Sequence, residues 1–205
     1  MPENLNKDWL RALQEYIKPA TLKNLKPDQL IFLLSRFTLK DQNLVKWITA
    51  PQVSQLLPGI WASQMVLGME FLGILAANGV NVKELPEFSE LSSVGFEKSV
   101  DAIAAMMNDK DFCYLLFFLK GLRAYNPFEA ERIVTGWDIL EPLCDALAEA
   151  MGSQQTQIGR SMMREMHAWI SALLSETILM DIDQVTQYLR EHGTDDNSDY
   201  EKIIT

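Results

Sequence analysis

Apolar residues recur at helical spacing along most of this chain, and the pattern is strongest between Ile158 and Met180. The main apolar face of that stretch has steps of four, four, three and four, at Ile158, Met162, Met166, Trp169 and Leu173. Further apolar residues widen the face, at Met163, Ile170, Leu174 and Ile178. Such a helix has to be covered, and the cover is either the rest of this chain or another protein.

A second apolar run, residues 60–77, predicts a long buried helix that begins near Pro58 and ends at Asn78-Gly79. The Asn-Gly pair suits the left-handed cap at a helix C-terminus. A membrane span needs about 20 apolar residues without a carboxylate in the middle. Because Glu70 interrupts the run, we interpret it as the central helix of a bundle. Gly68 and Gly73 are expected to let another helix approach closely.

The remaining pattern predicts an all-α fold, a single irregular multi-helix bundle of eight to ten helices around that buried central helix. The organising helices are expected at about 58–78, 111–125 and 156–180, and Asp181 to His192 is predicted to be a separate last helix. We expect one domain over residues 1–193, with a candidate subdomain boundary near 80–95, where periodicity is weak. Residues 194–205 are predicted to form an acidic, flexible C-terminal tail.

The charge of the chain narrows the range of partners. Its formal net charge is −10. Residues 1–50 have eight Lys or Arg and five Asp or Glu, so this part is slightly basic. The other 155 residues have ten Lys or Arg and 23 Asp or Glu, so the negative charge lies there. A surface of that sign repels phosphate backbones and anionic lipid, so nucleic acid is not an expected partner. A basic or amphipathic helical segment of a protein is the favoured partner, although an acidic surface also serves plain solubility.

The location predicted from the sequence is the cytoplasm. Residues 1–10 lack the charged start, apolar run and cleavage site of a secretory signal, and no membrane span is expected. The two cysteines, Cys113 and Cys144, form no CxxC pair and fit a reducing compartment as small buried hydrophobes.

Residues suited to catalysis or metal binding are few. Neither His167 nor His192 has a carboxylate three residues earlier, and no zinc signature occurs. The acidic run 195–199 lacks the glycine of a calcium loop. We therefore expect no metal and no cofactor. Two catalytic alternatives stay open, His167 as a general base with Cys113 or Cys144 as the nucleophile, and an enzyme that uses a buried Glu70. We favour a histidine that only packs against its neighbours, so the chain is not expected to be an enzyme.

The sequence thus favours a non-catalytic, acidic cytoplasmic adaptor or chaperone that binds a partner segment within a larger assembly. The predicted partner-binding residues are Ile158, Met162, Met163, Met166, Trp169, Ile170 and Leu173, part of a methionine-rich face suited to varied apolar partners. In composition the chain resembles the small acidic helper proteins of bacterial secretion or coupling complexes, without a motif that assigns a family. The alternative is a pocket for an apolar small molecule or lipid, with walls at Trp61, Met65, Met69, Phe117 and Phe118.

Overall fold

The computed structural model describes residues 11–13, 15, 17–40, 47–93, 95–109, 112–136, 139–153 and 157–192. Its α-helices are α1 (Pro19–Leu22), α2 (Pro27–Lys40), α3 (Pro51–Ser54), α4 (Leu57–Ser63), α5 (Met65–Ala77), α6 (Phe96–Asn108), α7 (Phe112–Tyr125), α8 (Pro127–Thr135), α9 (Leu140–Ser153) and α10 (Gln157–His192). Two 3₁₀ turns, Val82–Glu84 and Pro86–Glu90, join α5 to α6. The described residues contain no β-strand, so the expected all-α multi-helix bundle is confirmed.

Helices α5 and α7 cross at the centre of the bundle, and glycine makes the crossing close. Residues 68–75 of α5 and 115–119 of α7 are buried. A Cβ on Gly73 would overlap the backbone carbonyl of Phe117, and one on Gly121 would overlap that of Met69. Because only glycine leaves room for two backbones at this distance, these residues set how tightly the core can pack. The close approach expected at Gly73 is confirmed.

The central apolar run is two helices, not the single helix that the sequence predicted. Gln64 has an extended backbone, with φ −152° and ψ 105°, and it both ends α4 and begins α5. The break lets α4 fold back on α5, where a Cβ on Gly68 would come within 2.8 Å of Trp61 Cα. Gln64 itself is exposed, which explains why a polar residue is suited to the corner.

The C-terminus of α5 has the predicted left-handed cap. Gly79 has a φ of +84°, and its N–H donates to the carbonyl of Ala76 at 3.0 Å. The N–H of Val80 donates to the carbonyl of Leu75 at 3.1 Å. These two bonds are the pair of a Schellman motif, so they satisfy carbonyls that would otherwise lack donors at the helix end.

Replacing Gly79 with alanine is expected to lower the free energy of unfolding by about 1 kcal/mol, because an L side chain is strained at positive φ. No heavy atom lies within 4 Å of the added Cβ, so backbone strain is the cause that this variant isolates. Urea denaturation followed by circular dichroism measures the change. A variant as stable as the wild-type chain would contradict the strain at this cap.

The stretch proposed as a subdomain boundary, near 80–95, contacts the helices on both sides of it. The indole N–H of Trp61 donates to Ser92 Oγ at 3.1 Å, and the Tyr125 hydroxyl donates to the Ser92 carbonyl at 3.3 Å. Burial, and then the negative charge of Glu129, raise the pKa of Tyr125 above its ordinary value. The boundary itself stays a prediction.

Helix α10 is continuous over 36 residues from Gln157 to His192. The sequence predicted a break near Asp181, but no glycine or proline occurs between Ile158 and His192 other than Gly159, so nothing in the backbone chemistry ends the helix there. At 1.5 Å per residue the helix is about 54 Å long. The predicted tail, 194–205, lies outside the described residues.

Candidate functional site

The residues predicted to bind a partner lie on the side of α10 that packs against the core of the same chain. Met163 and Ile170 have no exposed surface, the other buried members are Met162, Met166 and Trp169, and Ile158 and Leu173 are half-buried against the core. Helices of the chain itself therefore cover most of this face, and the binding of a partner by these seven residues stays a prediction.

Helix α7 supplies part of that cover through charged side chains. Lys120 Nζ lies 3.0 Å from the Glu165 carboxylate, and a guanidinium nitrogen of Arg123 lies 3.9 Å from the same group. The Arg123 guanidinium carbon is also 5.3 Å from the centre of the Trp169 ring. These contacts hold α10 to α7 around an apolar centre, as expected of a packing face.

A second apolar surface lies farther along α10 and is exposed. It consists of four side chains, Ile178 at 50% exposure, Leu179 at 62%, Ile182 at 56% and Val185 at 58%, and we call them the exposed stripe. With about 100° per residue, these positions fall within one arc of the helix. No described side chain between residues 175 and 190 is buried. Large apolar side chains gathered in this way indicate an interaction surface.

The exposed stripe continues the face of α10 that packs against α9. On that face His167 and Ser171 contact Cys144 of α9, and Ile178 stands seven residues after Ser171, two turns farther on the same side. Consecutive helices joined by a short connection lie antiparallel, so the start of α9 lies beside the later residues of α10. Because α9 begins only one turn before Cys144, it extends along α10 only to about Leu174. Beyond it, α9 has no residues left to cover the face.

Acidic residues border the exposed stripe on both sides. By helical geometry Asp181 flanks one edge, and Glu176 and Asp183 flank the other. All three are exposed, and no Lys or Arg occurs between residues 175 and 187. An apolar strip between carboxylates is complementary to a helix with an apolar face and basic edges. Met180, also exposed, lies on the opposite side of the helix.

The residues considered for catalysis are partly brought together. Cys144 Sγ lies 3.6 Å from His167 Nε2, so one of the two nucleophile and base pairs left open by the sequence is a contact. Cys113 lies on α7, and Glu70 is 2% exposed within α5. The side chain of His192 and the acidic run 195–199 lie outside the described part. Among the side chains that are described, no three His, Cys, Asp or Glu groups are placed to hold a metal ion.

The predicted pocket walls are packing residues of the central crossing. Met69, Phe117 and Phe118 have no exposed surface, and Trp61 is buried. Met65 is half-buried and lines an open surface cavity of about 550 Å³ with Lys98 and Asp101. This cavity is open and partly polar, whereas sites for apolar small molecules are mostly apolar. The apolar pocket itself stays a prediction.

None of the described helices is both long enough and apolar enough to cross a membrane. Comparison with known proteins found no protein-family model, no curated protein and no solved structure that matches the chain.

Proposed function

We propose that this chain is a non-catalytic protein-interaction protein, an adaptor or chaperone, which holds a helix of a partner protein on the exposed stripe of α10. The observation that supports this most is the placement of four large apolar side chains, each at least half exposed, on one arc of a helix beyond its cover. Exposed apolar area of this kind lowers the free energy of association when a partner removes it from water.

The spacing of the stripe favours a helical partner. Ile178, Ile182 and Val185 follow at steps of four and three, and Leu189 follows in the sequence after four more. This is the spacing of positions that interlock with a second helix. The partner helix would occupy the same side of α10 as α9 and continue where α9 ends, so that α10 has a helical neighbour along its length.

The charges of the stripe favour a basic partner over a second copy of this chain. A copy would bring its own Glu176, Asp181 and Asp183 near those of the first, and like charges at a contact are unfavourable. A helix with Lys or Arg beside its apolar face would meet three carboxylates instead. We therefore propose that the partner segment is an amphipathic helix with basic edges, and that this chain acts as its adaptor within a larger assembly.

The test uses two synthetic helical peptides with identical apolar faces, one with lysine and one with glutamate at the edge positions. The lysine peptide is expected to bind the full chain, measured by fluorescence anisotropy, and the affinity is expected to fall as salt is raised. The double variant Ile182→Asp, Val185→Asp is expected to bind at least about 30-fold more weakly, because two charges replace apolar contact.

Met180→Asp is the matched control, since it places the same charge on the opposite side of the same helix, and its affinity is expected to stay near that of the wild-type chain. Equal binding of the two peptides, or unchanged binding by the double variant, would overturn the proposal. Sedimentation equilibrium adds a further outcome. If the chain forms a dimer that Ile182→Asp dissociates, a second copy is the occupant and the proposed basic partner is wrong.

A further inference from the structure

Three polar side chains with complementary chemistry meet between α9 and α10. Cys144 Sγ lies 3.6 Å from His167 Nε2 and 3.2 Å from Ser171 Oγ, and Ser171 Oγ lies 3.5 Å from His167 Nδ1. We call these residues the thiol cluster. His167 and Ser171 are four residues apart on α10, so helical geometry holds them on one face, and α9 brings the thiol to them.

Two arrangements of hydrogens, which run in opposite directions around the cluster, satisfy all three contacts. In the arrangement that suits activation of the sulfur, the Cys144 thiol donates to His167 Nε2, the N–H at His167 Nδ1 donates to Ser171 Oγ, and the Ser171 hydroxyl donates to Cys144 Sγ. In this tautomer the imidazole nitrogen that faces the sulfur is the one that can accept its proton. A thiol next to a proton acceptor and a hydroxyl donor has the geometry of an activated nucleophile.

The thiol cluster is also accessible. Cys144, His167 and Ser171 are each half-buried, so a small molecule can reach the sulfur while neighbouring protein limits larger ones. We propose that Cys144 is a modification site whose thiol reacts with hydroperoxides, with His167 as the base. This site lies where α9 packs on α10, before the exposed stripe begins, and the proposal does not depend on the binding role of the stripe.

The proposed reaction converts the thiol to a sulfenic acid. The Cys144 sulfur attacks the terminal oxygen of the hydroperoxide, so that a sulfur–oxygen bond forms and the oxygen–oxygen bond breaks. His167 accepts the thiol proton at Nε2, and the departing hydroxide or alkoxide takes that proton to leave as water or an alcohol. The sulfur loses two electrons and the peroxide gains them. The Ser171 hydroxyl donates a hydrogen bond to the sulfur while His167 holds the thiol proton.

The test compares the two cysteines of the purified full chain. Hydrogen peroxide is added, sulfenic acid is trapped with dimedone, and mass spectrometry of the peptides measures labelling at each position. Cys113 is the matched control because it is half-buried as well. Cys144 is expected to react at least about tenfold faster than Cys113, a lower limit set below the roughly 10²- to 10⁴-fold that a positioned base contributes. In urea the two rates are expected to become equal.

His167→Gln separates activation from mere exposure. With a normal melting temperature, this variant is expected to lose most of the advantage of Cys144 and to leave the rate at Cys113 unchanged. Ser171→Ala is a second, smaller change for which a reduction of a few-fold is expected. Equal rates at the two cysteines of the wild-type chain would overturn the proposal without any variant. A Cys144 rate that neither substitution lowers would assign the cluster to helix packing alone.

Discussion

Alanine at Gly121 is expected to remove at least about 3 kcal/mol from the free energy of unfolding, the upper end of the range for overpacked cores. The added Cβ would overlap the carbonyl oxygen of Met69 and lie 2.9 Å from the backbone nitrogen of Gly73. Those atoms belong to the backbone of α5, so no side-chain rotation can relieve the overlap. The two central helices would have to separate, and the fully buried Phe117 and Leu72 would lose contacts.

Gly73→Ala tests the same crossing from the other helix, since its Cβ would meet the carbonyl of Phe117, and a similar loss is expected. Gly59→Ala is the control, because Gly59 lies in α4 with no heavy atom within 4 Å of its Cβ. That change is expected to be neutral or to stabilise by up to about 1 kcal/mol. Urea denaturation measures all three variants. If Gly121→Ala were as stable as Gly59→Ala, the helices would not pack as closely as described.

Hydrophobic periodicity was sufficient to predict the fold class because it depends on local geometry. Steps of three and four residues place side chains on one face of a helix whatever lies opposite. The same property explains why the sequence left open what covers the predicted partner-binding face. The spacing of Met163, Met166 and Ile170 indicates that they share a face of the helix. Whether α7 or a partner covers that face depends on the tertiary structure, which spacing does not reveal.

The exposed stripe was missed because of a predicted boundary. The sequence interpretation ended one helix at Met180 and began another at Asp181, which separated Ile178 from Ile182 and Val185. Across that boundary the steps of four and three are regular, so the signal was present. Aspartate is compatible with a helix N-cap but also occurs within helices, so Asp181 alone did not justify the break.

The thiol cluster shows the limit of sequence analysis for chemistry. The sequence identified His167 and a cysteine as a candidate pair. It could not choose between Cys113 and Cys144, because both are distant from the histidine along the chain, at 54 and 23 residues before it. Packing of α9 on α10 selects Cys144. Ser171, the third member, has no distinguishing sequence context, and only its position four residues after His167 could have drawn attention to it.

The same substitution is expected to destabilise the fold strongly on one apolar face of α10 and to leave its stability almost unchanged on the other. Ile170→Asp places a carboxylate at a position with no exposed surface, where burial without a partner costs about 4 kcal/mol or more. Because a domain of this size is stable by only about 5–15 kcal/mol, this variant is expected to lose most of its cooperative unfolding transition. Met163→Asp is expected to behave in the same way.

Ile182→Asp makes the identical change at a residue that is 56% exposed, and its free energy of unfolding is expected to stay within about 0.5 kcal/mol of the wild-type value. Urea denaturation compares the variants, and binding of a dye that fluoresces on apolar surfaces is expected to fall for Ile182→Asp, since its stripe is reduced. Similar destabilisation by Ile170→Asp and Ile182→Asp would mean that the C-terminal half of α10 is covered in solution. Two stable variants would mean that the Met163 and Ile170 face is not covered by the rest of the chain, which is one of the two alternatives that the sequence left open. The two apolar faces therefore have to be separated by folding measurements before any loss of binding is assigned to the exposed stripe.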